Sequence, residues 1–203
     1  MSYLLIVRHG RTAWNRVERF RGREDLDLDR VGVRQARATA QGLARWPATA
    51  IYTSPLKRTL KTAHIMAGTL GLEPVSLPLL VDIDYGDWQG LTPEEAARRD
   101  GDLYRLWLEA PPRVRFPGGE GLAEVRARAR KAVHLVLSRH PGETVALVSH
   151  NVVCRVLILV LLGWRTSHFW QVAQDVAAIN VFDLSRGRPA ALLLNDTCHL
   201  KGI

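Results

Sequence analysis

The sequence predicts an α/β fold, a three-layer α/β/α sandwich around a mostly parallel central sheet with a small inserted cap. Three observations predict it. Short β-rich runs alternate with segments of helical spacing, which implies parallel strands with helices on both faces. One run, Thr144 to Ser149, is apolar almost without a break, as in a strand covered on both sides. The stretch from about residue 84 to 121 departs from the alternation. It sets large aromatic side chains among prolines and glycines, as an inserted cap would.

The elements follow in order. Tyr3 to Val7 is a first strand. It ends at Arg8 with no basic residue before it, so it is not read as a signal peptide. Asp29 to Trp46 carries helical spacing through Val33, Ala36, Ala40 and Leu43. Thr49 to Thr53 is a short strand. Ser54-Pro55 predicts a helix start, with Ser54 as N-cap and Pro55 at the first helical position. That helix runs to about Leu70, with Gly71 beyond its end, and a strand near Pro74 to Leu77 follows.

In the cap, Thr92-Pro93-Glu94-Glu95 is a capping box ahead of two short helices separated by Gly101. Trp88, Tyr104, Trp107 and Phe116 are expected to pack the cap onto the sheet more than to line a pocket. Glu120 to Arg139 is a long helix stopped by Pro141-Gly142. After the strand at Thr144 to Ser149, His150 to Leu162 is a helix ending at Gly163. Its apolar stretch from Val152 carries Arg155 and is too short to span a bilayer, so it reads as buried. Ala177 to Leu184 and Ala190 to Leu194 are final strands joined by Arg186-Gly187.

The length of 203 residues suits one domain over 1–203, and 47% hydrophobic residues supply a core. Cys154 and Cys198 form no C-x-x-C pair and no metal-finger spacing, which points to a reducing, cytoplasmic setting. The net charge is +8, carried almost wholly by arginine, and Arg8, Arg11, Arg16, Arg19, Arg21 and Arg23 crowd one segment. The balance fits anionic partners, and equally an arginine-rich composition spread over a solvated surface. No RNA- or DNA-reading motif is present, so a phosphorylated small molecule is expected and nucleic acid is not. No membrane partner is expected, and a homodimer is compatible with the reading.

Parallel sheets bind ligands at the carboxyl ends of their strands. Arg8 and His9 follow the first strand, Ser54 and Arg58 the second, and His150 the strand at Thr144 to Ser149. Asp82 and Asp84 lead into the cap. These groups should share one rim, and the set suits phosphate. Guanidinium forks match phosphate oxygens in pairs and neutralise charge spread over a phosphoryl group in transfer. A neutral imidazole attacks phosphorus without an activating base, and a carboxylic acid protonates the leaving oxygen. The helix after Pro55 is expected to aim its N–H groups at the phosphate. His9, His150 and Asp82 could instead ligate a metal, but adjacent arginines would repel a divalent cation, so no metal is expected.

Arg8-His9-Gly10-Arg11-Thr12 followed by Asn15 resembles the R-H-G-x-T-x-x-N signature of the histidine phosphatase superfamily, whose founding members are the cofactor-dependent phosphoglycerate mutases. Matching segments continue through Phe20-Arg21-Gly22, Ser54 to Thr59, Asp82 to Gly90, Pro117 to Glu120, Ser149-His150 and Asn195 to Leu200. The resemblance implies a phosphoglycerate mutase-like fold and His9 as nucleophile. Arg8, Arg58 and His150 would hold the phosphoryl group, and Asn15 would assist. Arg21, Gly22 and Asn151 fall at substrate-binding positions. No metal or organic cofactor is implied. The acid position falls on Asp82, where the mutase and small-phosphatase branches usually carry Glu. That shortens the arm by roughly 1.5 Å, and an acid at neutral pH then needs burial or a carboxylate neighbour such as Asp84. Asp84 is also a rival for the acid role. Asn151 stands where glycine commonly follows the histidine. Without the longer insertions and tail of the mutase branch, hydrolysis of a phosphomonoester is expected over a mutase reaction.

Overall fold

The computed structural model describes residues 2–203. Its strands are β1 (Tyr3–Arg8), β2 (Ala50–Thr53), β3 (Pro74–Ser76), β4 (Val145–Ser149), β5 (Ile179–Asp183) and β6 (Ala190–Asp196). They form one sheet in the order β3-β2-β4-β1-β5-β6. The pairs β3-β2, β2-β4 and β4-β1 are parallel; β5 and β6 join antiparallel. The helices are α1 (Arg30–Gly42), α2 (Lys57–Leu70), α3 (Pro93–Arg99), α4 (Gly101–Glu109), α5 (Leu122–Arg139) and α6 (Asn151–Leu161).

Strand side chains alternate between two cores. Leu4, Ile6, Val145 and Leu147 face α5 and α6, in one cluster with the cap aromatics. Leu5, Val7, Ala146 and Val148 face α1 and α2, against Ala40, Leu43, Ala63 and Met66. Both faces of β1 and β4 are therefore dry, which explains their unbroken apolar runs. Each buried Leu or Ile contributes about 1.5–3 kcal/mol over an exposed one. No helix of the described residues is long and apolar enough to cross a membrane.

Register decides what meets at the rim. Arg8 lies across from Ser149, and Thr53 across from Val148. The ladder continues one residue further, with His9 N donating to Ser149 O and Ser54 N to Val148 O. His9, Ser54 and His150 are thus each the first residue past their strands, side by side. Gly10 lets the chain leave β1 against the start of α1, since a Cβ there would overlap the carbonyl of Gly32.

Several local expectations are corrected. α2 starts at Lys57, not at Pro55, and Leu56, not Ser54, precedes its first turn. α1 ends at Gly42, because the chain turns through residues 43–45 and brings Trp46 edge-on to Tyr3 at 4.7 Å. Gly101 does not separate the cap helices; it begins α4, while Asp100 caps that helix by accepting from Leu103 N at 3.0 Å. The capping box at Thr92 is present, with Glu95 N donating to Thr92 Oγ1 and Thr92 N donating to Glu95 Oε2.

In the 84–121 segment, Trp88 and Phe116 are almost fully buried; Trp88 makes edge contacts with Phe116 and Phe20, and Phe116 lies tilted against Phe20. Tyr104 and Trp107 also line a cavity, so packing is not their whole role. Gly86 folds with φ +50° where a Cβ would overlap Pro117 O, which explains glycine at that point of the turn.

Candidate active site

Arg8, the last residue of β1, and His9, the first beyond it, lie in the interior, where they are 5% and 1% exposed. His9 Nδ1–H donates to Gly10 O at 2.7 Å. That bond fixes the tautomer and leaves Nε2 with its lone pair. Burial, reinforced by the charges of Arg58 and Arg8, holds the imidazole well below its usual range, so it is neutral at working pH.

His150 caps α6 and packs beside His9, with ring centroids 5.4 Å apart. Arg58 Nε donates to its Nδ1 at 3.1 Å, and its Nε2–H donates to Ser54 Oγ at 2.8 Å. Ser54, expected at this rim and also as a helix cap, thus serves the site as the partner of His150 and not as the cap of α2. Burial, then Arg58 and His9, keeps His150 neutral too. With both ring nitrogens engaged, His150 has no lone pair to offer a metal. Among the described residues no group of three or more His, Cys, Asp or Glu side chains is placed to hold one.

Arg58 is fully buried and binds the site together. Its Nη1 donates to Glu24 O at 2.5 Å, and its Nη2 donates to Gly22 O at 2.8 Å and to Asp82 Oδ2 at 3.3 Å. The first amide of α2 does not face an open anion site: Lys57 N donates to Asp25 Oδ1 at 2.7 Å. The helix whose positive end opens on the cavity is α6, through Asn151 and Val152.

Asp82 reaches the cluster because the preceding residues are pinned. Ser149 Oγ donates to Leu80 O at 2.8 Å, and Arg128 donates to Leu79 O and Val81 O. Asp82 Oδ2 then lies 3.7 Å from His150 Nδ1. Burial raises this carboxyl above its ordinary value, against the opposing pull of Arg58 and Arg21. The shift suits a general acid. Asp84 supplies neither contact: its Oδ1 accepts from Gly86 N at 2.9 Å and its Oδ2 pairs with Arg23 at 3.2 Å. Burial, and not a carboxylate neighbour, is the leading cause of the rise at Asp82.

Arg8 is held by the segment that leads into β5. Its Nη1 donates to Gln174 O at 2.5 Å, and Asn151 Nδ2 donates to the same carbonyl at 3.0 Å. Gln174 and Asn180 exchange two amide bonds of 2.9 Å, and Asn180 Nδ2 also donates to Ile6 O at 3.0 Å. Sequence reasoning missed this pair; a polar Asn within the apolar run of β5 was the available signal. Burial, then Arg21, lowers the Arg8 guanidinium to about 9, which leaves it charged at neutral pH.

Arg21 donates to Trp14 O at 3.1 Å and lines a cavity of about 170 Å3 together with Asp82 and Asn151. Gly22 contributes its carbonyl to Arg58. Asn15 is not brought into contact with the histidines: its Oδ1 accepts from Thr12 N at 2.9 Å and Thr12 Oγ1 at 3.0 Å. The constellation offers a neutral imidazole with one free lone pair, guanidinium charge in excess of carboxylate, and a buried carboxylic acid.

Comparisons with known proteins agree with this chemistry. The family model described as the histidine phosphatase superfamily (branch 1) matches residues 4–197. The chain is 40% identical over 200 residues to phosphoserine phosphatase 1 of Hydrogenobacter thermophilus, covering 98% of this chain and 95% of that protein. It spans 54% of three mycobacterial relatives that it matches at 35% identity. The solved structure of YhfR from Bacillus stearothermophilus superposes with a TM-score of 0.92 at 29% identity, covering 99% of this chain and 100% of that one. A mutant phosphoserine phosphatase from Entamoeba histolytica, in complex with phosphoserine, gives a TM-score of 0.88 at 27% identity, covering 98% and 100%.

Proposed function

Because the chain belongs to the histidine phosphatase superfamily (branch 1), we propose that this phosphatase works through a phosphohistidine on His9 and takes small phosphomonoesters, phosphoserine first among them. The observation that carries the mechanism is the buried His9 ring, with Nδ1 held by Gly10 O and Nε2 left nucleophilic beside the Arg58–Asp82–His150 cluster. The names of the similar phosphatases support the substrate.

In the first step His9 Nε2 forms a bond to phosphorus and the ester P–O bond breaks. The departing oxygen takes the proton of Asp82. Arg8 and Arg58 neutralise the equatorial oxygens, with His150 beside them and the NH2 of Asn15 as a further donor. In the second step water attacks phosphorus, its proton passes to the Asp82 carboxylate, and the P–N bond breaks to release inorganic phosphate. Arg21, Gly22 and Asn151 shape the entry. A cytoplasmic setting fits the two free cysteines, one buried and one exposed.

Rapid quenching with phosphate-labelled phosphoserine tests the proposal. The expected result is an acid-labile, base-stable phosphoryl label on the wild-type chain, absent from His9→Ala, with matching release of inorganic phosphate. Turnover without any such label would overturn the covalent route. Formation of 2-phosphoglycerate from 3-phosphoglycerate, with a trace of bisphosphate and no free phosphate, would return the mutase reading.

A further inference from the structure

The cavity beside the phosphate site has a second charged wall. Asn151 and Arg155 are four residues apart on α6, hence on one helix face, and both line it. At about 170 Å3 it is smaller than the roughly 300–1,000 Å3 of pockets for drug-sized ligands. It suits a metabolite of a few carbons.

Arg155 is held in place without a carboxylate in direct contact, the nearest compensating charge being that of Asp175. Its Cζ lies 5.2 Å from the Phe169 ring centroid and 4.9 Å from that of Trp170. Trp170 is itself tied to the cap, Nε1 donating to Trp107 O at 2.9 Å. The guanidinium makes one hydrogen bond among the described residues, Nη1 to Phe169 O at 3.3 Å, and its buried Nε has none.

Other partly buried arginines hold a carboxylate. Arg11 pairs with Asp29 at 2.8 Å, Arg19 with Glu95 at 3.4 Å and Arg128 with Glu120 at 3.3 Å. Arg8, Arg21 and Arg155 have none among the described residues; neither has Arg126, which does not line the cavity. Arg8 stands at the phosphate position, and Arg21, which lines the same cavity as Arg155, is tied to Trp14 O. Arg155 is a cation with donor capacity to spare on the other wall.

We infer that Arg155 is a second anion subsite, which takes the carboxylate of a phosphomonoester whose phosphate lies at His9. The inference rests on the phosphatase reading and sharpens it: the substrates are short phosphomonoesters that bear a carboxylate. The aromatic wall fixes the plane of the guanidinium, so that its fork is ready for two carboxylate oxygens.

Phosphoserine and phosphoethanolamine differ by that carboxylate alone, so their kcat/KM ratio reads the subsite directly. The wild type is expected to prefer phosphoserine by at least about tenfold, chiefly in KM. In Arg155→Met, which keeps an unbranched stem on the aromatic wall, the ratio should fall toward one. In Arg155→Lys it should be partly restored. A merely structural role would depress both substrates together and leave the ratio unmoved, which would overturn the subsite. Brisk wild-type turnover of both substrates at a ratio near one would overturn the subsite alone. No phosphate released from either would overturn the phosphatase reading with it. Should Arg155→Met not fold, the wild-type ratio and Arg155→Lys still decide.

Discussion

At the amino ends of β2 and β4, His140 Nδ1 meets Glu143 Oε2 at 3.0 Å and its Nε2 meets Tyr52 Oη at 3.0 Å. Thr49 Oγ1 completes the group by donating to Glu143 Oε2 at 2.6 Å. At the carboxyl ends of the same two strands, His150 and Asp82 face each other at 3.7 Å. The side-chain types are alike, but the circumstances are not. The amino-end group is partly exposed, and its histidine is answered on both ring nitrogens by neutral or acidic neighbours. The carboxyl-end group is buried, holds guanidinium groups in excess of carboxylate, and leaves one imidazole nitrogen of His9 without a partner. A histidine–carboxylate pair is thus not a site in itself. Burial, surplus cationic charge and an unspent lone pair make it one.

The largest expected contrast between the two ends is in turnover. His9→Ala should lower kcat by at least about 10^4-fold, while His140→Ala leaves it within about twofold. Steady-state assays on the pair measure this, and comparable losses in both would erase the distinction.

Next comes the acid. Asp82→Asn should cost about 10^2–10^4 in kcat, most for alkyl phosphates, whose leaving oxygen most needs a proton. Asp84→Asn should cost less than about tenfold, since Asp84 faces Arg23. A larger loss at Asp84 would transfer the acid role.

A third test concerns how the carboxyl end is held. Asn180→Ala leaves the Gln174 amide, Ile6 O and Asn195 N short of partners. A loss of about 2–3 kcal/mol in urea unfolding is expected, with weaker phosphate inhibition because the support of Arg8 is loosened. Unchanged stability would show that the amide pair is dispensable.

The pH dependence of stability separates the ends more finely. His9 and His150 have native pKa values below the unfolded value of about 6.5, so below that pH the unfolded chain takes up protons that the native one refuses. Their neutral burial costs nothing above about pH 6.5 and reduces stability as pH falls, by about 1.4 kcal/mol per pH unit for each. Asp82 acts oppositely: its raised pKa adds stability below about pH 3.9 that is lost as pH rises through the native value. Denaturation between pH 7.5 and 5 should show a shallower decline in His9→Ala than in the wild type, and parallel slopes would contradict the buried neutral ring. The smallest effect belongs to the amino end, where Glu143→Gln should move Tm by no more than about 4 °C.

Much of this was legible in the chain itself. Periodicity located every strand and long helix to within a few residues, because side-chain alternation and helical spacing are local consequences of backbone geometry. The meeting of Arg8, His9, Arg58, Asp82 and His150 at one rim was legible for a related reason: each lies at or within a few residues of a strand's carboxyl end, and parallel strands bring such positions together. What local pattern could not supply was partnership. Ser54 as the acceptor for His150 spans 96 positions, and Gln174 as the anchor for Arg8 spans 166. The antiparallel arrival of β5, the separation of Asp82 from Asp84, and Arg155 against its aromatic wall depend likewise on which distant segments meet. Burial, which sets the protonation of His9 and Asp82, belongs to the assembled fold, since desolvation is produced by every neighbour at once and is written in no single stretch of sequence.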